Sequence, residues 1–247
     1  MDYTTKYNLK KLISNSFGKF FNPKGKRILM YHSLGTKVKN DVYNIYSIDV
    51  NLFKSQMNFL KDNYSQNLTD IKEFASNKNS ISITFDDGFA DVLYKAVPIL
   101  CKLNLPFTVF VPPKLIIEKN EYLSILELKE LSKLDICTIG AHGYSHEPLT
   151  KFNLDNVNKE ISSSKLWLED TLGDEVKYMS YPHGAVNNTI KNEVKKSGFI
   201  SACSSKPGVN SRKLDMLELR RTAILSHDKL DQFISKMNGE WDWTKWV

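Results

Sequence analysis

Seven short runs of β-favouring residues, spaced along the chain and separated by segments with helical periodicity, most constrain what this sequence can fold into. The runs are 27–31 (RILMY), 81–85 (ISITF), 106–113 (PFTVFVPP), 137–141 (CTIGA), 176–181 (VKYMSY), 199–204 (FISACS) and 221–225 (RTAIL). Between them, Phe53, Met57 and Leu60 mark one helix face, and Leu93, Ala96, Leu100 and Leu103 mark another within 89–103, which Pro98 should kink or split. Further helices are predicted over 124–134 with Ser124 as cap, 154–172 ending near Gly173, 186–197 closed by Gly198, and 228–237. Strands alternating with helices argue for a parallel sheet with crossover connections. The 247 residues and the seven strands suit one domain, an irregular (β/α)7 barrel related to the (β/α)8 type. There is no repeat, low-complexity segment or internal linker.

Polar clusters sit where these strands stop. His32, Asp86–Asp87, His142 and Tyr181–Pro182 each fall at or just past a predicted strand end. In a parallel barrel those ends share one rim, and active sites lie there. Two adjacent carboxylates at a strand exit repel unless a cation or a proton relieves them. Neighbours on an extended chain point different ways, so one can ligate a metal while the other handles a proton. The competing reading of Asp86-Asp87-Gly88 is a surface turn, for which Asp and Gly are common. His142 and His146, four apart in HGYSH, are close enough to share a metal, although two surface histidines have the same spacing. The chain holds five histidines, and His32, His142 and His146 all sit at or near strand ends. Two His and one carboxylate form a common three-ligand zinc site with a position left open.

TFDDG (84–88), HGYSH (142–146) and YPHG (181–184), in this order and in these strand contexts, resemble the polysaccharide deacetylase family, also known as the NodB-homology or carbohydrate esterase family 4 fold. The resemblance covers roughly residues 27–237, leaving an N-terminal amphipathic extension (1–26) and a Trp-rich tail (238–247) outside it. It implies a metal-dependent de-N-acetylase acting on an N-acetylhexosamine and releasing acetate. Asp86 is then the general base. Asp87, His142 and His146 are the metal ligands, for Zn2+ or for Co2+ or Ni2+, which the same donors accept. The backbone N–H of His183 is an oxyanion donor, and Tyr181, Pro182 and Arg221 lie against the substrate. The acid that protonates the leaving amine is His32 or His227. ILMYHSLG resembles a subgroup, including biofilm exopolysaccharide de-N-acetylases, in which a first-strand histidine supplies the acid. AILSHD resembles other members in which it follows the last strand. His32 is preferred, because the stretch around His227 also resembles a surface loop before the last helix.

Three features depart from the family pattern. Gly143 stands where Ser or Thr usually follows the first metal histidine, Ser180 where an Arg usually pairs with the base, and His183 where Tyr is usual. Arg220 or Arg221 is therefore expected to supply the positive charge beside Asp86.

Composition bounds the partners. The net charge of +6 suits an anionic ligand or a lipid surface, but the lysines are scattered and no nucleic-acid motif is present. Residues 8–21 form a basic amphipathic segment with Leu9, Ile13, Phe17 and Phe20 at helical spacing, either an interfacial helix that makes peripheral membrane contact or a helix packed on the domain. No apolar run reaches membrane-spanning length and no signal-peptide core appears, so a cytoplasmic location is expected, with the inner membrane face as its variant. A lipid- or nucleotide-linked glycan precursor suits that location better than an exported polymer. Cys101, Cys137 and Cys203 are expected to be reduced, buried thiols. Trp241, Trp243 and Trp246 could stack on sugars, meet a membrane interface or fold back on an apolar groove. Two rival readings are a hydrolase of a non-sugar amide and a degenerate glycan-binding protein that has lost catalysis.

Overall fold

Successive residues on a strand face opposite sides, and here both sides are buried, so parity decides which residues meet the helices and which meet the barrel interior. The computed structural model describes residues 3–20, 25–38, 41–76, 78–118, 120–211 and 214–246. Its strands are β1 (Arg27–Tyr31), β2 (Ile81–Phe85), β3 (Phe107–Val111), β4 (Cys137–Ala141), β5 (Tyr178–Ser180), β6 (Ser201–Cys203) and β7 (Thr222–Ala223). They form one curled parallel sheet in the order β6-β5-β4-β3-β2-β1-β7, the (β/α)7 architecture expected from the alternation. The helices are α1 (Tyr3–Phe17), α2 (Val50–Tyr64), α3 (Val97–Leu103), α4 (Pro113–Glu118), α5 (Ile125–Ser132), α6 (Leu154–Leu172), α7 (Asn188–Lys196) and α8 (Leu230–Met237).

Odd-numbered residues of the first strands face the helices. Leu29, Tyr31, Ile83, Phe85, Phe107 and Val109 join Phe53, Met57, Leu60, Leu100, Leu128 and Leu168 in one apolar layer. Each such side chain contributes about 1.5–3 kcal/mol on leaving water. Even-numbered residues face inward. Thr84, Thr108 and Thr138 are register partners across β2, β3 and β4 and are all buried. Phe110 fills the interior beside them, and Gly140 on the neighbouring strand makes this possible: a Cβ there would lie 2.6 Å from the Phe110 ring. His32, Asp86 and His142 keep the same even parity one residue past their strands.

The segment before β7 closes the barrel. Leu219 N donates to Ala202 O at 2.9 Å and Ser204 N donates to Leu219 O at 2.8 Å, after which Thr222 and Ala223 pair with Leu29 and Met30. Arg221 lies between the two pairings.

Several local expectations change. Pro98 does not break a helix but sits in the first turn of α3, and a π-helical turn (Val92–Ala96) precedes it and absorbs the missing donor. The double proline ends β3, but Pro113 also opens α4, because proline is well suited to a first helical position. Cys137 and Cys203 are buried, whereas Cys101 is exposed on α3. Trp241 is buried against Tyr7 of α1 and Trp243 Nε1 donates to Ser14 Oγ at 2.9 Å. Asp242 is pinned to β1 by a buried two-point pairing with Arg27 at 2.9 and 3.0 Å. The tail thus folds back on the body. Residue 21 of the amphipathic segment and the side chain of Trp246 lie outside the described residues. Among the described residues, no helix is long and apolar enough to cross a membrane.

Candidate active site

Parity and topology bring His32, Asp86, Asp87, His142, His146 and His183 to one cavity of about 300 Å³ at the C-terminal rim of the strands. The volume suits a single small-molecule unit. Asp86 takes the inward position after β2, and its backbone N–H is held by Tyr31 O at 2.9 Å. Arg221 meets its carboxylate edge-on, with Nη1 donating to Oδ1 at 2.7 Å and Nη2 to Oδ2 at 2.6 Å. Both side chains are almost fully buried. Nη2 also donates to Ser180 Oγ at 2.7 Å, and Nε donates to Ser204 O at 2.9 Å. Burial pushes the Asp86 carboxyl up, but the Arg221 guanidinium against it outweighs this and holds it below its usual range. Asp86 is therefore an ionised acceptor facing the cavity.

Asp87 turns away from Asp86 because its backbone is left-handed, with φ at +73°, an uncommon conformation for a residue other than glycine. The turn aims Oδ1 at two imidazoles: His146 Nε2 at 2.9 Å and His142 Nε2 at 3.5 Å. His142 Nδ1 lies 2.8 Å from Ser180 O. A carbonyl only accepts, so Nδ1 carries the proton and Nε2 presents its lone pair to Asp87. Despite these short approaches, Asp87 Oδ1 is buried and makes no hydrogen bond of acceptable geometry. The three ligand atoms lie within 4.8 Å of one another. Two imidazole nitrogens crowding one carboxylate oxygen, with one imidazole braced from behind by a carbonyl, is the donor set and support that a divalent cation takes. The residues fit a metal.

The HGYSH loop is shaped by contacts that its own letters do not advertise. Gly143 has φ at +65°, and a Cβ there would lie 2.9 Å from Pro182 Cγ, so YPHG packs where a Ser or Thr side chain would stand. The missing hydroxyl is replaced by Glu160 of α6, whose Oε2 accepts from Tyr144 N at 3.1 Å and Ser145 N at 2.9 Å. Glu160 escapes sequence reasoning because nothing in a long amphipathic helix distinguishes it from other solvated acids.

The remaining candidates divide. His32 is half-buried on the cavity wall, its ring 4.4 Å from that of Tyr46, with a buried Nδ1 that has no hydrogen-bond partner. Burial lowers its pKa, against the pull of Asp87 and Asp86. His183 is exposed, has φ at +56°, and places Nε2 3.2 Å from His146 O. Tyr181 touches the cavity but is buried, its hydroxyl donating to Leu217 O at 2.7 Å, and Pro182 is buried against Gly143. His227 is not brought to this cavity. Its ring packs edge-on against Tyr7 at 3.8 Å, because the loop after β7 turns outward to meet α1. Arg221 does border the cavity, yet its guanidinium donates to Asp86, Ser180 and Ser204, which leaves the substrate contact expected of it without a described donor. Arg220 points elsewhere, with Nη1 donating to Pro207 O at 3.1 Å.

The chain is similar to known deacetylases in sequence and in fold. A protein named as a polysaccharide deacetylase, YxkH of Bacillus subtilis, is 28% identical over 204 residues, covering 80% of this chain and 70% of its own. The poly-beta-1,6-N-acetyl-D-glucosamine N-deacetylase of Staphylococcus aureus is 28% identical over 230 residues, covering 85% and 77%. The fold is shared with the Streptococcus pyogenes deacetylase PplD, solved in complex with acetate (TM-score 0.77, 23% identity, 87% of this chain and 99% of that one). It is also shared with IcaB from Ammonifex degensii (TM-score 0.73, 19% identity, 89% and 98%). The family profile for polysaccharide deacetylases matches residues 75–201, which hold Asp86, Asp87, His142, His146 and the YPHG segment. The chain belongs to the polysaccharide deacetylase family, hydrolases of the carbon–nitrogen bond of acetamides.

Proposed function

We propose that this protein is a divalent-metal-dependent de-N-acetylase that removes the acetyl group of an N-acetylhexosamine, in a polysaccharide or in a lipid- or nucleotide-linked precursor. The observation that carries the reading is the convergence of Asp87, His142 and His146 ligand atoms within 4.8 Å beside the ionised, Arg221-clamped Asp86. The named substrate of the Staphylococcus aureus relative supports an N-acetylglucosamine unit. Residues 27–237 carry the catalytic barrel, with residues 1–26 and the tail as an appendage.

Asp87, His142 and His146 would hold the metal, with Zn2+ the best match to two imidazoles and a carboxylate. When bound, such an ion polarises the acetyl carbonyl and eases ionisation of water. Asp86 accepts a proton from the attacking water as its oxygen bonds to the carbonyl carbon. The backbone N–H of His183, at the turn lining the cavity, supports the developing oxyanion. His32 delivers a proton to the amine nitrogen as the carbon–nitrogen bond breaks, giving acetate and the free amino sugar. His32 regains its proton and Asp86 loses one to solvent, closing the cycle. Tyr181 shapes the wall on which the sugar rests, and Pro182 backs it from behind through the Gly143 turn.

The test is a mass-spectrometric screen for loss of one acetyl group. Chelator-treated protein, with and without added Zn2+, is assayed against N-acetylglucosamine oligomers, lipid-linked glycans and nucleotide sugars. Zinc-dependent release of acetate from at least one class is expected. Hydrolysis confined to ureides or cyclic amides, or metal binding without any turnover, would overturn the reading.

A further inference from the structure

α1 has two faces with opposite fates. Residues 7, 14 and 18 lie on one side of the helix and its 3₁₀ continuation (Gly18–Phe20), and all are held by the body of the protein. The Tyr7 hydroxyl donates to Asp228 Oδ1 at 2.9 Å and its ring lies between His227 and Trp241. Ser14 accepts from Trp243, and Gly18 sits so close to the Glu240 backbone that a Cβ would not fit. Away from that side, Leu9, Leu12, Phe17 and Phe20 are 47%, 64%, 61% and 85% exposed. Clamping the helix through its more polar face and leaving four large apolar side chains outside is the reverse of ordinary packing.

The charge on this helix and its continuation is of one sign. Residues 3–20 contain Lys6, Lys10, Lys11 and Lys19 and no Asp or Glu. A protein partner that covered the stripe would have to match an interrupted apolar row flanked by lysines. A fluid anionic surface accepts apolar side chains at its acyl boundary and lysines at its headgroups without such matching. We infer that α1 docks the protein on an anionic bilayer surface through Leu9, Leu12, Phe17 and Phe20, with Lys6 and Lys10 at headgroup level.

The helix that carries the docking face adjoins the chemistry on its other side. A second cavity, of about 380 Å³, lies between α1 and the barrel and is walled by Lys6, Tyr7, Lys10 and Trp241. Ser205 and Arg221 border both this cavity and the catalytic one. The loop carrying Val42 and Tyr43, 85% and 56% exposed, is tied to the same 225–228 loop through Ser226 N to Ile45 O at 2.8 Å.

The full-length protein should co-sediment with vesicles containing phosphatidylglycerol, far less with pure phosphatidylcholine vesicles, and less as salt rises. Leu12→Glu/Phe20→Glu, both at exposed positions, should weaken vesicle binding by about 10-fold or more while leaving the far-UV circular dichroism, the Tm and the zinc content unchanged. Lys6→Glu/Lys10→Glu should weaken it at low salt only. Equal sedimentation of wild type and Leu12→Glu/Phe20→Glu would overturn the inference. So would a dimer in analytical ultracentrifugation that the same double substitution dissolves, since a second copy would then occupy the stripe. None of these readouts depends on turnover, so they stand or fall apart from the proposed de-N-acetylase activity.

Discussion

Arg221 and Asp86, 135 residues apart in sequence, share two hydrogen bonds of 2.7 and 2.6 Å inside the closure of the barrel. The pair couples the fold's last joint to its candidate base. Arg221→Met leaves a buried carboxylate with no cationic partner, which costs about 3–5 kcal/mol. Urea denaturation should show that loss, and acetate release should fall to background. Asp86→Asn/Arg221→Met should recover most of the stability and none of the activity. If Arg221→Met matched wild type in both, the clamp would have no role.

Asp86 and Asp87 are neighbours with separable tasks, and metal content can separate them. Asp87→Asn, His142→Ala and His146→Ala should each lower bound zinc, measured by equilibrium dialysis and elemental analysis, because each removes one of three ligand atoms. Asp86→Asn should keep its zinc yet lose about 10²–10⁴-fold in kcat, the usual worth of a general base. Zinc loss in Asp86→Asn equal to that in Asp87→Asn would merge the two roles.

The two candidate acids can be told apart by the leaving group. An amine must be protonated as it departs, whereas a nitrophenolate need not be. His32→Gln should therefore lose far more activity on an N-acetylated sugar than on 4-nitrophenyl acetate. His227 packs on Tyr7 outside the cavity, so His227→Gln should leave both rates near wild type. The opposite pattern would return the acid to the loop after β7.

Stability should respond to acid through an ion cluster outside the catalytic cavity. Glu218 is partly buried, which pushes its carboxyl up. Hydrogen bonds from Lys191, at 2.8 Å, and from Lys206 outweigh this and hold it below its usual range. A carboxyl with a depressed folded pKa stabilises the fold above its unfolded value, and that contribution is lost as pH falls through the folded value. Glu218→Gln should cost about 0.5–1 kcal/mol at neutral pH and nothing once the pH is below the carboxylate range. Urea midpoints across a pH series measure the gap. A gap that widened in acid would contradict the sign.

The strands and the Asp87-His142-His146 cluster are legible in the sequence because each rests on local rules. RILMY, ISITF and CTIGA become β1, β2 and β4 with the residues expected, and His32, Asp86 and His142 follow from strand parity. What sequence reasoning misses depends on which distant groups meet. Arg220 and Arg221 are indistinguishable in LRRTA until the closure of the barrel turns one inward and the other toward Pro207. His227 follows a strand just as His32 does, but α1 reaches it first. Pro113 has two meanings, the end of β3 and the start of α4, and only the chain beyond it chooses.

Gly143 and Glu160 test whether the histidine loop is held from outside. At φ +65° a side chain is strained, and its Cβ would press on Pro182, so Gly143→Ala should cost about 1–3 kcal/mol and displace His142 and His146. Glu160→Gln keeps an oxygen for the Tyr144 and Ser145 N–H groups but loses the charge, while Glu160→Ala removes the acceptor altogether. Supports of this kind typically contribute 10–100-fold to metal affinity, so Glu160→Ala should lower zinc affinity within that range and Glu160→Gln by less. Neither residue touches the ligand atoms, so the graded order, read by competition with a chelating dye, distinguishes bracing from coordination. Unchanged zinc affinity in Glu160→Ala would mean that the loop keeps its shape through His142 and Ser180 alone.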